Sequence, residues 1–262
     1  MPTAPSTRYV RVFLFVLALA GIVGLGVHGP IAQWAAYHDF ADQRSFCGVP
    51  NFMDSTSNIV FALAGALVLR DMGRYPAGNG FFFVAMAISL FGLFAGSTYY
   101  HLAPSDARLL WDRLPIASFF ALLFVQILFE LAVFDPSPRN VALGIGYWLL
   151  SCASVFLWAW SGDLRAYGFF QFFPLASLVA LMPYCFASGR QQRGFLLLVL
   201  ILGYGLAKFF ETFDFQTMSA TGGLISGHTL KHLFSGLTVL AYFMLYRRLS
   251  VAEAARADWR IA

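Results

Sequence analysis

Five side chains of this 262-residue chain have the types and spacing needed to activate water. His228 and His232 open the stretch "SGHTLKHLFSGL" four residues apart, so on a helix both imidazoles lie on one face and within reach of one cation. That is the spacing of the H-E-x-x-H zinc hydrolases, but the stretch reads H-T-L-K-H and lacks the glutamate that serves them as base. In "GSTYYHLAPSDARLLWD", Ser97 and His101 are one helical turn apart, and Asp112 follows eleven residues after that histidine. Three histidines with a fourth position open to water form a catalytic rather than a closed structural zinc site, and Asp112 is the candidate base. Each residue alone has a plainer reading. Asp112 fits a helix N-cap, Ser97 can bond back onto its own helix, and His28 and His38 read as polar residues at a membrane interface.

The elements that position these side chains must cross a membrane. The chain is 59% hydrophobic and 11% charged, whereas a soluble domain carries about a quarter charged residues. Apolar runs of about 20 residues, the length that crosses the hydrocarbon core, fall near 10–28, 52–70, 80–101, 113–134, 141–160, 168–188, 194–212 and 229–247. The separators, such as "RDMGRYPAGNG", "FDPSPRN" and "ASGRQQRG", carry the turn and charge signals of short connections. The predicted fold is an all-α polytopic membrane bundle. The first run also has the basic start and apolar middle of a signal peptide, and its cleavage would leave seven helices in unchanged orientation.

Arg8, Arg11, Arg70, Arg74, Arg139, Arg190, Arg193, Arg247, Arg248, Arg256 and Arg260 flank the spans on one side, and Arg44, Arg108, Arg113 and Arg165 on the other. Basic residues concentrate on the cytoplasmic side, so both termini are expected there, with 29–50, 102–112, 161–167 and 213–227 facing outward. His101 then ends the third span, Asp112 begins the fourth, and His228 and His232 begin the eighth, all at the outward end. Ionisable groups inside spans cost roughly 2.5–3.5 kcal/mol each on insertion scales and rarely occur without a partner or a function.

Other polar residues say less. Lys208, Glu211 and Asp214 form either an ion-pair network beside the site or a solvated surface, and Glu130 fits an internal pair. The phenylalanine runs at 81–83 and 169–173 suit either an acyl-chain cavity or a lipid-facing wall. Cys47, Cys152 and Cys185 form no CxxC pair and support neither disulfides nor a cysteine metal site. The net charge of +4 is distributed by topology and does not indicate nucleic acid.

The two quoted stretches resemble the alkaline ceramidase family, part of a membrane hydrolase superfamily that includes the adiponectin and progestin-type receptors. The shared pattern is Ser-x3-His, an Asp eleven residues on, then His-x3-His at the start of the last helix, and "NFMDSTSNIVFALAG" is similar to the family's first core helix. The resemblance implies a seven-helix core over 29–250, an additional N-terminal hydrophobic helix over 1–28 and a cytoplasmic tail over 251–262. It further implies zinc held by His101, His228 and His232, Asp112 as general base, and Ser97 stabilising the oxyanion. The implied reaction is hydrolysis of a ceramide-like lipid in the membrane to a sphingoid base and a fatty acid. A lipid-sensing receptor with a structural or weakly hydrolytic zinc site is the alternative. Animal family members carry an outward calcium site, and here that stretch offers Asp39 and Asp42 but Arg44 and Asn51 at the remaining ligand positions. A metal or proton transporter would want ligands near the midplane, and haem ligation does not suit histidines four residues apart on one helix.

Overall fold

Without water in the bilayer core, each backbone polar group must find its partner inside the protein, and a helix satisfies them all within one segment. The computed structural model describes residues 7–75 and 80–259, and the only extended pairings there are isolated bridges, such as Ala32 with Asp163. Residues 1–6, 76–79 and 260–262, which hold parts of the expected N-terminal segment, the "YPAGNG" connection and the tail with Arg260, lie outside the described residues. The elements are α1 (Thr7–His28), α2 (Phe52–Thr56), α3 (Ile59–Arg70), α4 (Gly80–Leu102), α5 (Asp106–Glu130), α6 (Pro138–Ser161), α7 (Arg165–Ala187), α8 (Gln191–Thr212), α9 (Asp214–Ala220) and α10 (Gly227–Trp259). Seven spans are long and apolar enough to cross a membrane, α2 and α3 counting together, as expected of a multi-pass bundle. The eighth expected span falls in α10, which runs 33 residues and continues unbroken into the segment expected as a tail.

Helices α3 to α8 pack against their successors, and α10 packs against both α8 and α3, so the ring closes. Helix α5 is the most enclosed span, 83% buried over its apolar window, and it carries Asp112. Helix α1 packs against α7 from outside the ring, with only 11% of its window buried.

Several boundaries differ from expectation for identifiable reasons. The expected fourth span, 113–134, is α5, which starts earlier because Ser105 caps it, its hydroxyl accepting from Arg108 N at 3.4 Å. Asp112 is therefore two turns inside the helix and not its N-cap. The expected span 52–70 is broken at Ser57 and Asn58. There Asn58 Nδ2 donates to the Asp54 carbonyl at 2.9 Å and Thr98 Oγ1 to the Ser55 carbonyl at 3.1 Å, so side chains replace the interrupted ladder. The expected loop 213–227 contains the short helix α9.

Two glycines bring the site-bearing helices together. Pro115 has no N–H to offer the Trp111 carbonyl one turn earlier, and α4 packs on that carbonyl through Gly96, where an added Cβ would lie 2.0 Å from Trp111 O. Ser97 is the next residue and Asp112 follows Trp111, so this contact sets one against the other. At Gly227, before His228, an added Cβ would lie 2.2 Å from Phe210 O, which fixes the start of α10 against α8.

Candidate metal centre

His101 ends α4, and His228 and His232 lie in the first two turns of α10. Their rings form a near-equilateral triangle, with centroid distances of 4.7 Å for 101–228, 5.0 Å for 101–232 and 4.7 Å for 228–232. One nitrogen from each lies within 4.8 Å of the others, and all three residues are buried. Phe40, in the loop after α1, packs edge-on against His101 at 4.7 Å and His228 at 4.5 Å and covers the cluster.

Hydrogen bonds around the rings leave nitrogens of His101 and His232 free for an ion, while Lys231 Nζ lies 3.5 Å from His228 Nε2. Both ring nitrogens of His101 are buried without a protein partner, and each unpaired buried polar group costs about 1–3 kcal/mol. Ser57 Oγ donates to the Asp54 carbonyl at 3.2 Å and lies 2.9 Å from His232 Nδ1. With its proton so used, the hydroxyl accepts from Nδ1–H, which leaves the His232 Nε2 lone pair free to ligate. These unspent imidazole nitrogens fit a metal ion.

The start of α10 is held by two buried carboxylates, which suit the positive end of a helix. Asp54 Oδ1 accepts from Ser226 Oγ at 2.7 Å and from Thr229 Oγ1 at 2.5 Å. Asp214 accepts from His228 N at 2.8 Å through Oδ1 and from Ala41 N at 2.9 Å through Oδ2, which ties the Phe40 loop to the same helix. Asn51 holds α4 in place by donating to the His101 carbonyl at 2.7 Å, from a left-handed conformation (φ 46°) that asparagine tolerates better than most residues.

A cavity of about 650 Å³ reaches the cluster, and Ser97, Asp112, Lys231 and His232 line its polar end. Ser97 and Asp112 come side by side on this wall because Gly96 and Trp111, their chain neighbours, are in contact. Lys231 Nζ lies 2.8 Å from Glu211 Oε1, and Lys208 pairs with the other oxygen of that carboxylate. The rest of the wall is largely apolar and includes Phe169, Phe172 and Phe173. Three of the four phenylalanines at 169–173 thus line the cavity, the exception being Phe170, which packs on Tyr147, whereas Phe82 and Phe83 are core and Phe81 is exposed.

All five candidate residues are buried; the histidines converge, and Ser97 and Asp112 line the same cavity as His232. Of the plainer candidates, His28 is exposed and lies 3.3 Å from the neighbouring Gly29 carbonyl, while His38 joins Tyr100 Oη at 2.8 Å and Asp106 Oδ1 at 3.1 Å. Asp42 accepts from Arg44 Nε at 2.5 Å and from Met53 N at 2.8 Å, so a guanidinium already serves this carboxylate. Glu130 pairs with Arg193 at 2.7 Å near the opposite end of the bundle. Sequence reasoning missed Asp54, Ser57 and Lys231. The polar stretch "NFMDSTSN" signalled the first two, and the lysine between the two α10 histidines was legible as an ionisable residue inside a span. Compared with protein-family models and with curated proteins, the chain matches none.

Proposed function

We propose that the protein is a zinc-dependent intramembrane amidohydrolase that cleaves the N-acyl amide of a ceramide-like lipid to a sphingoid base and a fatty acid. The observation that carries this reading is the convergence of three buried imidazoles where an apolar cavity presents Asp112 and Ser97. The motif resemblance to the alkaline ceramidases, carried by the same residues, points to the same reading. An all-imidazole set suits zinc and disfavours magnesium or calcium, which prefer oxygen ligands. His101, His228 and His232 would hold the zinc through one ring nitrogen each.

Bound zinc supplies a Lewis acid that lowers the pKa of water and polarises the amide carbonyl. Asp112 takes a proton from the attacking water on a carboxylate oxygen and returns it to the leaving amine as the C–N bond breaks. The water oxygen stays with the acyl carbon, so one water and one amide become one acid and one amine. The Ser97 hydroxyl donates to the carbonyl oxygen as charge builds there, a role typically worth 10²–10³ in rate. Phe40 and the buried rings keep bulk water from the reacting centre. The arginine distribution supports cytoplasmic termini and a site near the non-cytoplasmic face.

The deciding experiment measures bound metal and turnover of N-acyl lipids by mass spectrometry on purified protein. His228→Ala is expected to lose both metal and hydrolysis. Asp112→Asn is expected to keep metal and lose about 10²–10⁴ in rate. Full activity in either variant overturns the mechanism, and wild-type protein that holds zinc yet turns over no N-acyl lipid favours the receptor.

A further inference from the structure

The cavity has one wall that does not belong to the closed ring of helices. One face of α1 runs along Val10, Leu14, Leu17, Gly21 and Leu25, spaced at three and four residues as a single helical stripe requires. Val10 and Leu14 are buried in the main core, whereas Leu17, Ala20, Gly21 and Leu25 line the cavity. The same stripe therefore passes from packed core to cavity wall as it approaches the end that carries the histidines.

Helix α1 is fastened at both ends. Near its start, Arg11 Nε donates to the Val133 carbonyl at 2.5 Å, and its guanidinium lies 5.0 Å from the Phe134 ring. Beyond its far end, Ile31 N donates to Asp163 Oδ1 at 3.1 Å and Leu164 N to the Ile31 carbonyl at 2.8 Å. Between these ties it rests on α7, where an added Cβ at Gly21 would lie 3.3 Å from the Phe169 ring, itself part of the cavity wall. A volume of about 650 Å³ is within the roughly 300–1,000 Å³ range of ligand pockets.

We propose that α1 is the acyl-chain wall of this cavity, and that the face bearing Leu17, Ala20, Gly21 and Leu25 sets the length of chain the site accepts. The inference rests on the reading of the cavity as the seat of an N-acyl lipid. Leu25 stands nearest the histidine end and Leu17 farthest from it. The eight helical steps from Leu17 to Leu25 cover about 12 Å, comparable to roughly ten carbons of an extended chain. A bulkier side chain at Gly21 blocks the path earlier than one at Leu17, and a smaller one at Leu17 lengthens it.

The test uses full-length protein in nanodiscs and a graded series of saturated N-acyl sphingosines and free fatty acids, scoring binding by native mass spectrometry and turnover separately. Leu17→Phe is expected to weaken binding of the longest chains about tenfold relative to the shortest, and Gly21→Leu to move the cut-off to shorter chains still. Leu17→Ala is expected to admit longer chains, which keeps the test decisive if the Gly21 variant clashes with Phe169 and fails to fold. Val23→Phe, on the exposed face, is expected to leave the profile unchanged. An identical chain-length profile in both Leu17 variants, an equal loss at all lengths, or wild-type protein that binds no acyl lipid overturns the proposal. Wild-type protein that binds the series but hydrolyses none of it overturns the amidase reading alone, and the binding shifts then still decide the role of α1.

Discussion

At the scale of single residues, the cluster is shaped as much by the groups behind the histidines as by the histidines. Ser57 stands between the Asp54 carbonyl and His232 Nδ1, so one hydroxyl orients the ring and selects its tautomer. Partners of this kind typically contribute 10–100-fold to metal affinity. Ser57→Ala is accordingly expected to weaken zinc binding by about 10–100-fold in a chelator competition, while Ser57→Thr, which keeps the hydroxyl, retains most of it. Equal affinity in Ser57→Ala and wild type would remove Ser57 from the site. The three histidines were legible because their spacing is local or because the topology sent them to one end. The pairing of Ser57 with His232 was not, although its polar stretch stood out, because its partner lies 175 positions along the chain and only the break between α2 and α3 aims the hydroxyl at it.

At the scale of elements, site geometry depends on how closely two pairs of helices approach. Pro115 leaves the Trp111 carbonyl without its usual partner, and Gly96 lets α4 settle on it. Gly96→Ala is expected to cost about 1–3 kcal/mol through overpacking, read as a lower melting temperature, and to reduce hydrolysis further by parting Ser97 from Asp112. A variant that loses stability but keeps full turnover per folded molecule would show that this approach does not set the catalytic geometry. The existence of the long spans was legible from apolar run length alone, but the start of α5 was not, because Asp106, Arg108, Asp112 and Arg113 interrupt Leu109, Leu110 and Trp111 and break the apolar run there. The tie at the end of α1 gives a pH dependence. The Arg165 guanidinium, with the backbone N–H groups of Arg165 and Ile31, lowers the Asp163 pKa to about 2. Because the folded value lies below the unfolded one, its stabilisation is complete above the unfolded carboxylate pKa of about 4 and is lost as pH falls towards 2. Wild type is expected to melt above Asp163→Asn at neutral pH, with the two melting temperatures converging as the solution is acidified; a constant gap would mean that the carboxylate charge is not what ties Ile31 down.

At the scale of the whole molecule, the two ends of the bundle differ in charge, and this difference orients the catalytic reading. At one end Arg70, Arg74 and Arg247 gather on the buried carboxylate of Asp71, and Arg193 pairs with Glu130. At the other end lie the histidines, with Asp42, Asp54 and Asp214 around them. The sequence showed this asymmetry as arginines on alternate separators, but it could not show that the carboxylates at the far end face helix termini and backbone N–H groups. Since basic residues remain cytoplasmic, the histidine end should face outward, and the cysteines provide the measurement. Cys47 is exposed in the loop at the histidine end, whereas Cys185 is buried and Cys152 only partly exposed. In a variant with Cys152 and Cys185 replaced by alanine, a membrane-impermeant maleimide added to intact cells is expected to label Cys47. A second variant, with Cys47 also removed and Gln192→Cys placed at the arginine end, is expected to react only after permeabilisation. The reverse pattern would put the opening of the cluster on the cytoplasmic side, and the substrate would then have to be a lipid presented from that leaflet.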